Sequence, residues 1–324
     1  MKKMKWRNFL LLVAAAGVSA LLGTGSPAAA EQQQVLMTGG TTGDYYLNFG
    51  PPIVKLLEKA WVDAPLRESK GTPDNMDWLV EHPLSYALLQ GNVYAELSKN
   101  EKYAGKIKIL RSGIGSEAVL AVMSDKIFTR SQGSWGALAA HAKQVRIVTS
   151  SEASGPGQTL HQLIALDPTG LGTATPKFLD SIDAAINAVA DGQADVALVV
   201  QFANPQNPRF KLIAQKGLKV APVLDASMKG LEIPGVGPAF TLCENVQVTS
   251  SIKINTACTP ILFATGASNE NADLKRVFST VTEADFAPRE PAFAKLWKST
   301  LAKGGAAWDA AVRKASELAA KTNL

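Results

Sequence analysis

The feature that most narrows what this chain can fold into is a device used twice: an apolar strand-like run, a loop of small residues, then a helix. In the first half, Val35 to Met37 leads through Thr38-Gly39-Gly40-Thr41-Thr42-Gly43-Asp44-Tyr45-Tyr46 into the helical spacing of Ile53 to Leu57. In the second half, Val145 to Thr149 leads through Ser150-Ser151-Glu152-Ala153-Ser154-Gly155-Pro156-Gly157 into Thr159 to Leu166. Glycines at such a turn let the backbone bend sharply and bring its amides close to a ligand at a helix start. Taken alone, either loop reads equally as an anion-binding loop or as an ordinary strand-to-helix turn. The duplication carries more weight, because in open α/β sheets ligands gather beyond the carboxyl ends of the strands, where such loops collect.

Strands and helices alternate along the rest of the chain. Leu66 to Ser69 reads as a strand, and Thr72 or Asp74 is placed to cap a helix through Met76, Leu79 and Val80. Ser85 to Leu89 reads as a buried strand followed by a helix from Val93 to Leu97. Strands at Ile107 to Leu110 and Ala118 to Met123 flank the polar bend from Arg111 to Glu117. Helices are expected over Trp135 to Ala142 and Ile182 to Ala190, with a strand over Val196 to Val200. Strands at Val246 to Thr249 and Ile261 to Ala264 follow. A helix from Asn269 to Ala284, capped by Asn269 or Asn271, precedes a last helix carrying Trp308, Ala311, Val312 and Leu318. This is the β-α-β-α order of a sheet covered by helices.

The first thirty residues stand apart. Lys2, Lys3, Lys5 and Arg7 precede an almost unbroken apolar run from Phe9 to Leu22, and Ala28-Ala29-Ala30 supplies small residues before Glu31. That is the pattern of a secretory signal peptide, residues 1–30, with a run short for a membrane span. The leader holds four positive charges and no negative one, so the formal net charge of +5 falls to +1 without it. No dense basic stripe remains, which argues against a nucleic-acid partner. The remaining 294 residues exceed one typical core and imply two lobes. The expected division is 31–123 with 237–324 for a discontinuous first lobe, and 124–236 for the second.

The two cysteines, Cys243 and Cys258, read as one disulfide in an exported chain, with two buried free thiols as the other reading. Enzymatic signatures are lacking. The three histidines, His82, His141 and His161, have no metal-type spacing; no G-x-S-x-G elbow and no phosphate-loop lysine occur. Neither a cofactor nor a metal is expected.

The ordered motifs resemble the TAXI branch of solute receptors serving tripartite ATP-independent periplasmic (TRAP) transporters, over nearly the whole chain after the leader. The resemblance rests on Gly39 to Tyr46, on Gly71-Thr72-Pro73-Asp74-Asn75, and on Leu88-Leu89-Gln90-Gly91-Asn92-Val93. It continues in Glu117 before an apolar strand, Ser154-Gly155, and Asp191-Gly192-Gln193-Ala194-Asp195. Gly91-Asn92 replaces the family's usual Ser-Asp, Pro156 stands where a Thr commonly follows Ser-Gly, and Ala203 stands where a Gly is expected before Asn204-Pro205. The resemblance implies an α/β, two-lobed type II periplasmic-binding-protein fold with a ligand cleft between the lobes. It also implies a soluble, monomeric periplasmic receptor, not an enzyme, that closes on an organic acid or amino acid and delivers it to membrane transporter subunits. A receptor presenting its ligand to a membrane sensor is the alternative, and an exported hydrolase a weaker one.

Candidate ligand-binding residues are Thr41, Thr42 and Tyr45 in the first loop, Thr72 and Asn75 in the second, Gln90 at a strand end, and Ser154 and Gly155 in the far half. Hydroxyls and amides donate and accept, so such a set holds a zwitterion or dicarboxylate without a buried unpaired charge. Arg111, at a strand end, is the candidate cation for a carboxylate. Glu117 is placed either to take an ammonium group or to pair with Arg111. Thr72 and Ser154 have helix capping, and Tyr45 core packing, as their alternative duties.

Overall fold

The structure is a computed structural model that describes residues 33–202, 207–248 and 252–280, and near the C-terminus 307–310, 312, 313 and 317. The leader, Ala203 to Pro205, the end of the helix expected from Asn269 to Ala284, and Ala311 and Leu318 of the last helix lie outside the described residues.

The first half begins with strand β1 (Leu36–Met37), a π-turn over Tyr45–Phe49 and helix α1 (Gly50–Lys59). Pro51 and Pro52 sit in the first turn of α1, where a missing N–H costs nothing, and Ile53, Leu56 and Leu57 form its buried face. Helical backbone therefore starts well before Ile53. In the glycine loop Gly43 donates to the Gly40 carbonyl at 2.8 Å, and Leu47 beyond it donates to the Gly43 carbonyl at 3.0 Å. Strand β2 (Leu66–Arg67), helix α2 (Thr72–Glu81), strand β3 (Tyr86–Gln90), helix α3 (Gly91–Leu97) and strand β4 (Ile107–Arg111) follow. Neither Thr72 nor Asp74 is the N-cap of α2. That position is Gly71, at φ 126°, a conformation L-residues resist.

After a short bend, strand β5 (Ser116–Met123) opens the second half. Helices α4 (Asp125–Ser131) and α5 (Trp135–Ala140) follow, each with its N-cap serine, Ser124 or Ser134, accepting from the backbone three residues on. Then come strand β6 (Ile147–Thr149), helix α6 (Gly155–Leu166), strand β7 (Lys177–Phe178), helix α7 (Ile182–Ala190) and strand β8 (Val196–Phe202). Helix α8 (Pro208–Gln215), strand β9 (Lys219–Pro222) and the short pair β10 (Glu232–Ile233) and β11 (Gly237–Pro238) complete this part. Strands β12 (Thr241–Gln247) and β13 (Lys253–Gly266) and helix α9 (Ala272–Thr280) end the described elements. Asn271 Oδ1 accepts from the amides of Asp273 and Leu274 at the start of α9.

One half-sheet has the order β2-β1-β3-β13-β4, with β1, β2 and β3 parallel and β13 antiparallel to its neighbours. The other runs β13-β5-β8-β6-β7, with β12 beside β13 and β9 beside β5; β6, β7 and β8 are parallel. The 14-residue β13 belongs to both. Its residues through Pro260 pair with β12 and β5, and from Ile261 they pair with β3 and β4. The fold is thus α/β with two halves of the type II order, which the resemblance implies. The parallel strands β1, β3, β6 and β8 have their carboxyl ends at Met37, Gln90, Thr149 and Phe202.

Apolar side chains fill both sides of the strands. Ile53, Leu57, Leu120, Val199, Ile186 and Phe263 belong to one cluster, and Val119, Trp135, Leu160, Leu198 and Trp308 to another. Cys243 on β12 and Cys258 on β13 are fully buried and stand at disulfide distance, their Cα atoms 5.8 Å apart.

Candidate functional site

Gln90, the last residue of β3, is the centre of a buried polar network linking the two halves. Its Nε2 donates to Thr159 Oγ1 on α6 and to Asn92 Oδ1 on α3, each at 2.7 Å. Asn92 Nδ2 donates to Thr159 Oγ1 at 3.0 Å and to Gln162 Oε1 at 2.9 Å. Gln162 Nε2 returns a bond to the Asn92 carbonyl at 3.2 Å. All four residues are buried. Thr159 and Gln162, three apart on a helix, share a face and so meet the same partners. A Cβ on Gly155 would collide with Gln90 Oε1, and one on Gly71 would lie 3.4 Å from Ser154 Cα. Gly71 and Gln90 of the first half therefore meet Ser154 and Gly155 of the second directly.

Thr72 is buried, and its Oγ1 accepts from the Gln90 amide at 2.9 Å, fixing the end of β3 rather than capping a helix. Asn75 is also buried and ties two strand ends together, donating through Nδ2 to the carbonyls of Thr38 and Leu88 at 2.7 Å each. Ser154 is the N-cap of α6, accepting from the Gly157 amide at 3.2 Å and lying 2.6 Å from Ser150 Oγ. Thr41 and Thr42 are exposed on the glycine loop, which Ser69 joins through its Oγ bond to the Thr38 carbonyl at 3.3 Å. Arg111 is half-buried at the end of β4, opposite Phe263 of β13.

A second cluster gathers where β5 begins and β8 ends. Tyr45 Oη donates to Glu117 Oε2 at 2.7 Å. Glu117 is 7% exposed and stands in register with Phe202. Burial pushes its carboxyl from 4.5 up to about 8, the Tyr45 bond opposing the rise, nearby Asp44 adding to it, and Arg209 opposing it. Burial likewise raises Asp44, against the pull of Arg209 and of its bond from Asn48 Nδ2 at 2.7 Å. The Tyr45 hydroxyl is held well above its ordinary range, first by burial and then by the charge of Glu117. Asn207 Nδ2 reaches Asp44 Oδ2 at 3.4 Å, and Arg209 Nε is engaged by Asp183 Oδ1 at 2.9 Å. Beside this cluster two buried polar groups, the Ser116 hydroxyl and the whole Gln201 amide, have no hydrogen-bond partner among the described residues.

The sequence singles out Gln90, Tyr45 and Glu117 and places Asn92 in a motif. It pairs Glu117 with Arg111 or a ligand rather than with Tyr45, and it does not mark Thr159 or Gln162 as partners. Thr159 and Gln162 sit on an apolar-looking helix, and only the i, i+3 spacing hints at a shared polar face. Asp44, Gln201 and Asn207 carry no signal of their own, because what joins them is strand register and the turn into α1. Among the described residues, no group of three or more metal-type ligands occurs, and no helix is long and apolar enough to cross a membrane.

No protein-family model matches the chain, and no curated protein matches it. Solved structures do. MatC from Rhodopseudomonas palustris, with bound malate, is 10% identical over 89% of this chain and 98% of its own, with a TM-score of 0.49. The VFT2 domain of BvgS from Bordetella pertussis is 14% identical over 80% of this chain and 92% of its own, at 0.46. The arginine-, lysine-, histidine-binding protein ArtJ from Geobacillus stearothermophilus is 13% identical over 82% of this chain and 99% of its own, at 0.45.

Proposed function

We propose that the protein is an exported, non-enzymatic receptor that binds a small carboxylate-bearing solute between its halves and delivers it to the membrane subunits of a TRAP-type transporter. The observation that carries this reading is the meeting of polar residues from both halves at the carboxyl ends of the strands, where Gln90 engages Thr159 and packs on Gly155. Such a meeting suits a protein whose halves part to admit a solute and close over it, since a ligand shifts that equilibrium only by binding the closed form better. In this reading the chain crosses between the lobes near 112–115 and 260–261, so that β5, β12 and β13 through Pro260 join 124–236 in the second lobe, where the sequence alone keeps 116–123 and 237–260 with the first. Thr41, Thr42, Thr72, Asn75, Ser154 and Arg111 border the cleft, the hydroxyl-bearing loops and Arg111 receiving the solute's carboxylate. The motif resemblance supports the TAXI assignment, and the leader pattern supports export to the periplasm.

The test is a thermal-shift screen of the chain from Glu31 onward against dicarboxylates, amino acids and aromatic acids, with calorimetry on the hits. A solute that raises the melting temperature and binds stoichiometrically supports the reading. Failure of every solute, together with turnover of a chromogenic ester or phosphate, overturns it.

A further inference from the structure

We propose that the cavity between α3 and α6 is a binding site for an α-amino acid with an apolar side chain, and that its occupant holds the two halves against each other; the second part rests on the receptor reading above. The two helices are pinned together where Asn92 bonds Thr159 and Gln162. Next to that contact lies a cavity of about 410 Å³, inside the range of roughly 300–1,000 Å³ usual for small-molecule sites. Gln162 belongs to both, so the cavity adjoins the network that joins the halves.

The apolar part of the wall comes from three segments: Val93 and Leu97 on α3, Leu166 on α6, and Leu231 just ahead of β10. Val93 is buried, whereas the three leucines are half-buried. Leu231 packs against two apolar clusters, one holding Trp135 and Leu160 and the other Met76 and Leu89. Leucines left partly in water around one concavity gain from an apolar group that covers them.

The charges at the cavity are balanced rather than of one sign. Glu96 Oε2 and Lys99 Nζ are 2.7 Å apart, and both side chains are more than half exposed. His161, on the facing helix, is held by Glu152 Oε1 at 3.0 Å and stacked on Phe178. A lone carboxylate there meets Glu96, and a lone amine meets Lys99. An amino acid brings both charges, its ammonium group for Glu96 and its carboxylate for Lys99, and opening an exposed ion pair costs little. Its side chain then covers Leu97, Leu166 and Leu231.

Because the wall is shared, the site is complete only while α3 and α6 stay together. A ligand that binds that form alone stabilises it.

Calorimetry and thermal shift on the chain from Glu31 onward test this with L-leucine and L-phenylalanine. Each is compared with its deaminated acid, 4-methylpentanoate or 3-phenylpropionate, and its decarboxylated amine, 3-methylbutylamine or 2-phenylethylamine. The expected result is one-to-one binding of an amino acid at least tenfold tighter than either analogue, with a raised melting temperature. Ala165 is exposed on α6 and lines the cavity, so Ala165→Trp should fill it. That variant should lose the binding at least tenfold without a lower melting temperature of its own. Lys99→Met should bring the amino acid down to the affinity of its amine, and Glu96→Gln to that of its acid. Thr159→Val, which loosens the link between the halves from outside the cavity wall, should weaken the amino acid several-fold; an unchanged affinity overturns the coupling and leaves the site. Failure of both amino acids to bind overturns the site, as does binding that survives Ala165→Trp or an analogue that binds as tightly. Any other solute whose binding survives Ala165→Trp leaves the receptor reading standing without the groove. Binding lost wholly to Ala165→Trp upholds the groove and removes the solute cleft.

Discussion

The side chain of Gln90 occupies the space that a Cβ at Gly155 would need. The amide that fills that space is not loose, because the same group bonds Thr159 and Asn92. Gly155→Ala should therefore destabilise the protein by about 1–3 kcal/mol, the usual cost of forcing extra volume into a packed site. In a Gln90→Ala background most of that cost should vanish. Urea unfolding of the two single variants and the double variant measures the coupling, and additive effects would contradict the contact.

Thr159 Oγ1 accepts from both Gln90 Nε2 and Asn92 Nδ2. Thr159→Val keeps the shape, removes the acceptor and strands two buried amide donors. A loss of about 1–3 kcal/mol is expected. Thr159→Ser, which keeps the oxygen, should recover most of it in the same denaturation assay.

Glu117 gives the stability a pH dependence of definite sign. A carboxyl whose pKa is higher folded than unfolded binds its proton more tightly in the native state. Its contribution is complete below the ordinary value of 4.5 and is lost as pH rises through about 8. Asp44, also raised, acts in the same direction. Asp195 acts oppositely: its bond from Arg146 holds its carboxyl below the usual range, so its smaller contribution is lost on acidification. Melting temperatures from pH 5 to 9 should fall for the native chain and fall less steeply for Glu117→Gln.

Joining Cys243 to Cys258 closes a loop with a sequence separation of 15. Replacing both by serine, or reducing the native protein, should cost about 3 kcal/mol in the chain-entropy account. Urea midpoints with and without a reductant read this directly. Equal midpoints, or two freely alkylated thiols in native protein, would contradict the bond.

Much of the fold was legible because burial leaves a periodic trace. β3, β5, β8, α6 and α7 all coincide with apolar runs of the right period, and the Ser154 loop stands between β6 and α6 as expected. The start of α1 was misplaced because Tyr45 to Pro52 mixes aromatic, polar and proline residues, and its helical backbone comes from packing on Leu66 and Phe202 more than from local preference. The length of β13 was hidden by Pro260, a residue that normally argues against a strand interior. Here it falls at the transfer between half-sheets. At the candidate site, the loops could be named from glycine and hydroxyl content. The pairing of Tyr45 with Glu117, 72 positions apart, and of Gln90 with Thr159, 69 apart, arises from topology alone.

The shared strand has a consequence for the order in which the molecule is made. β13 begins at Lys253, after every other described strand, yet it is the common neighbour of β3, β4 and β5. Until it emerges from the ribosome, those three strands lack a neighbour they share, and Cys243 has no thiol to meet. Neither half-sheet can be finished early and wait for the other. Such long-range closure is slow, and synthesis from the N-terminus leaves the growing chain without its last partner for most of its length. The protein is built to fold as a whole, late, rather than half by half.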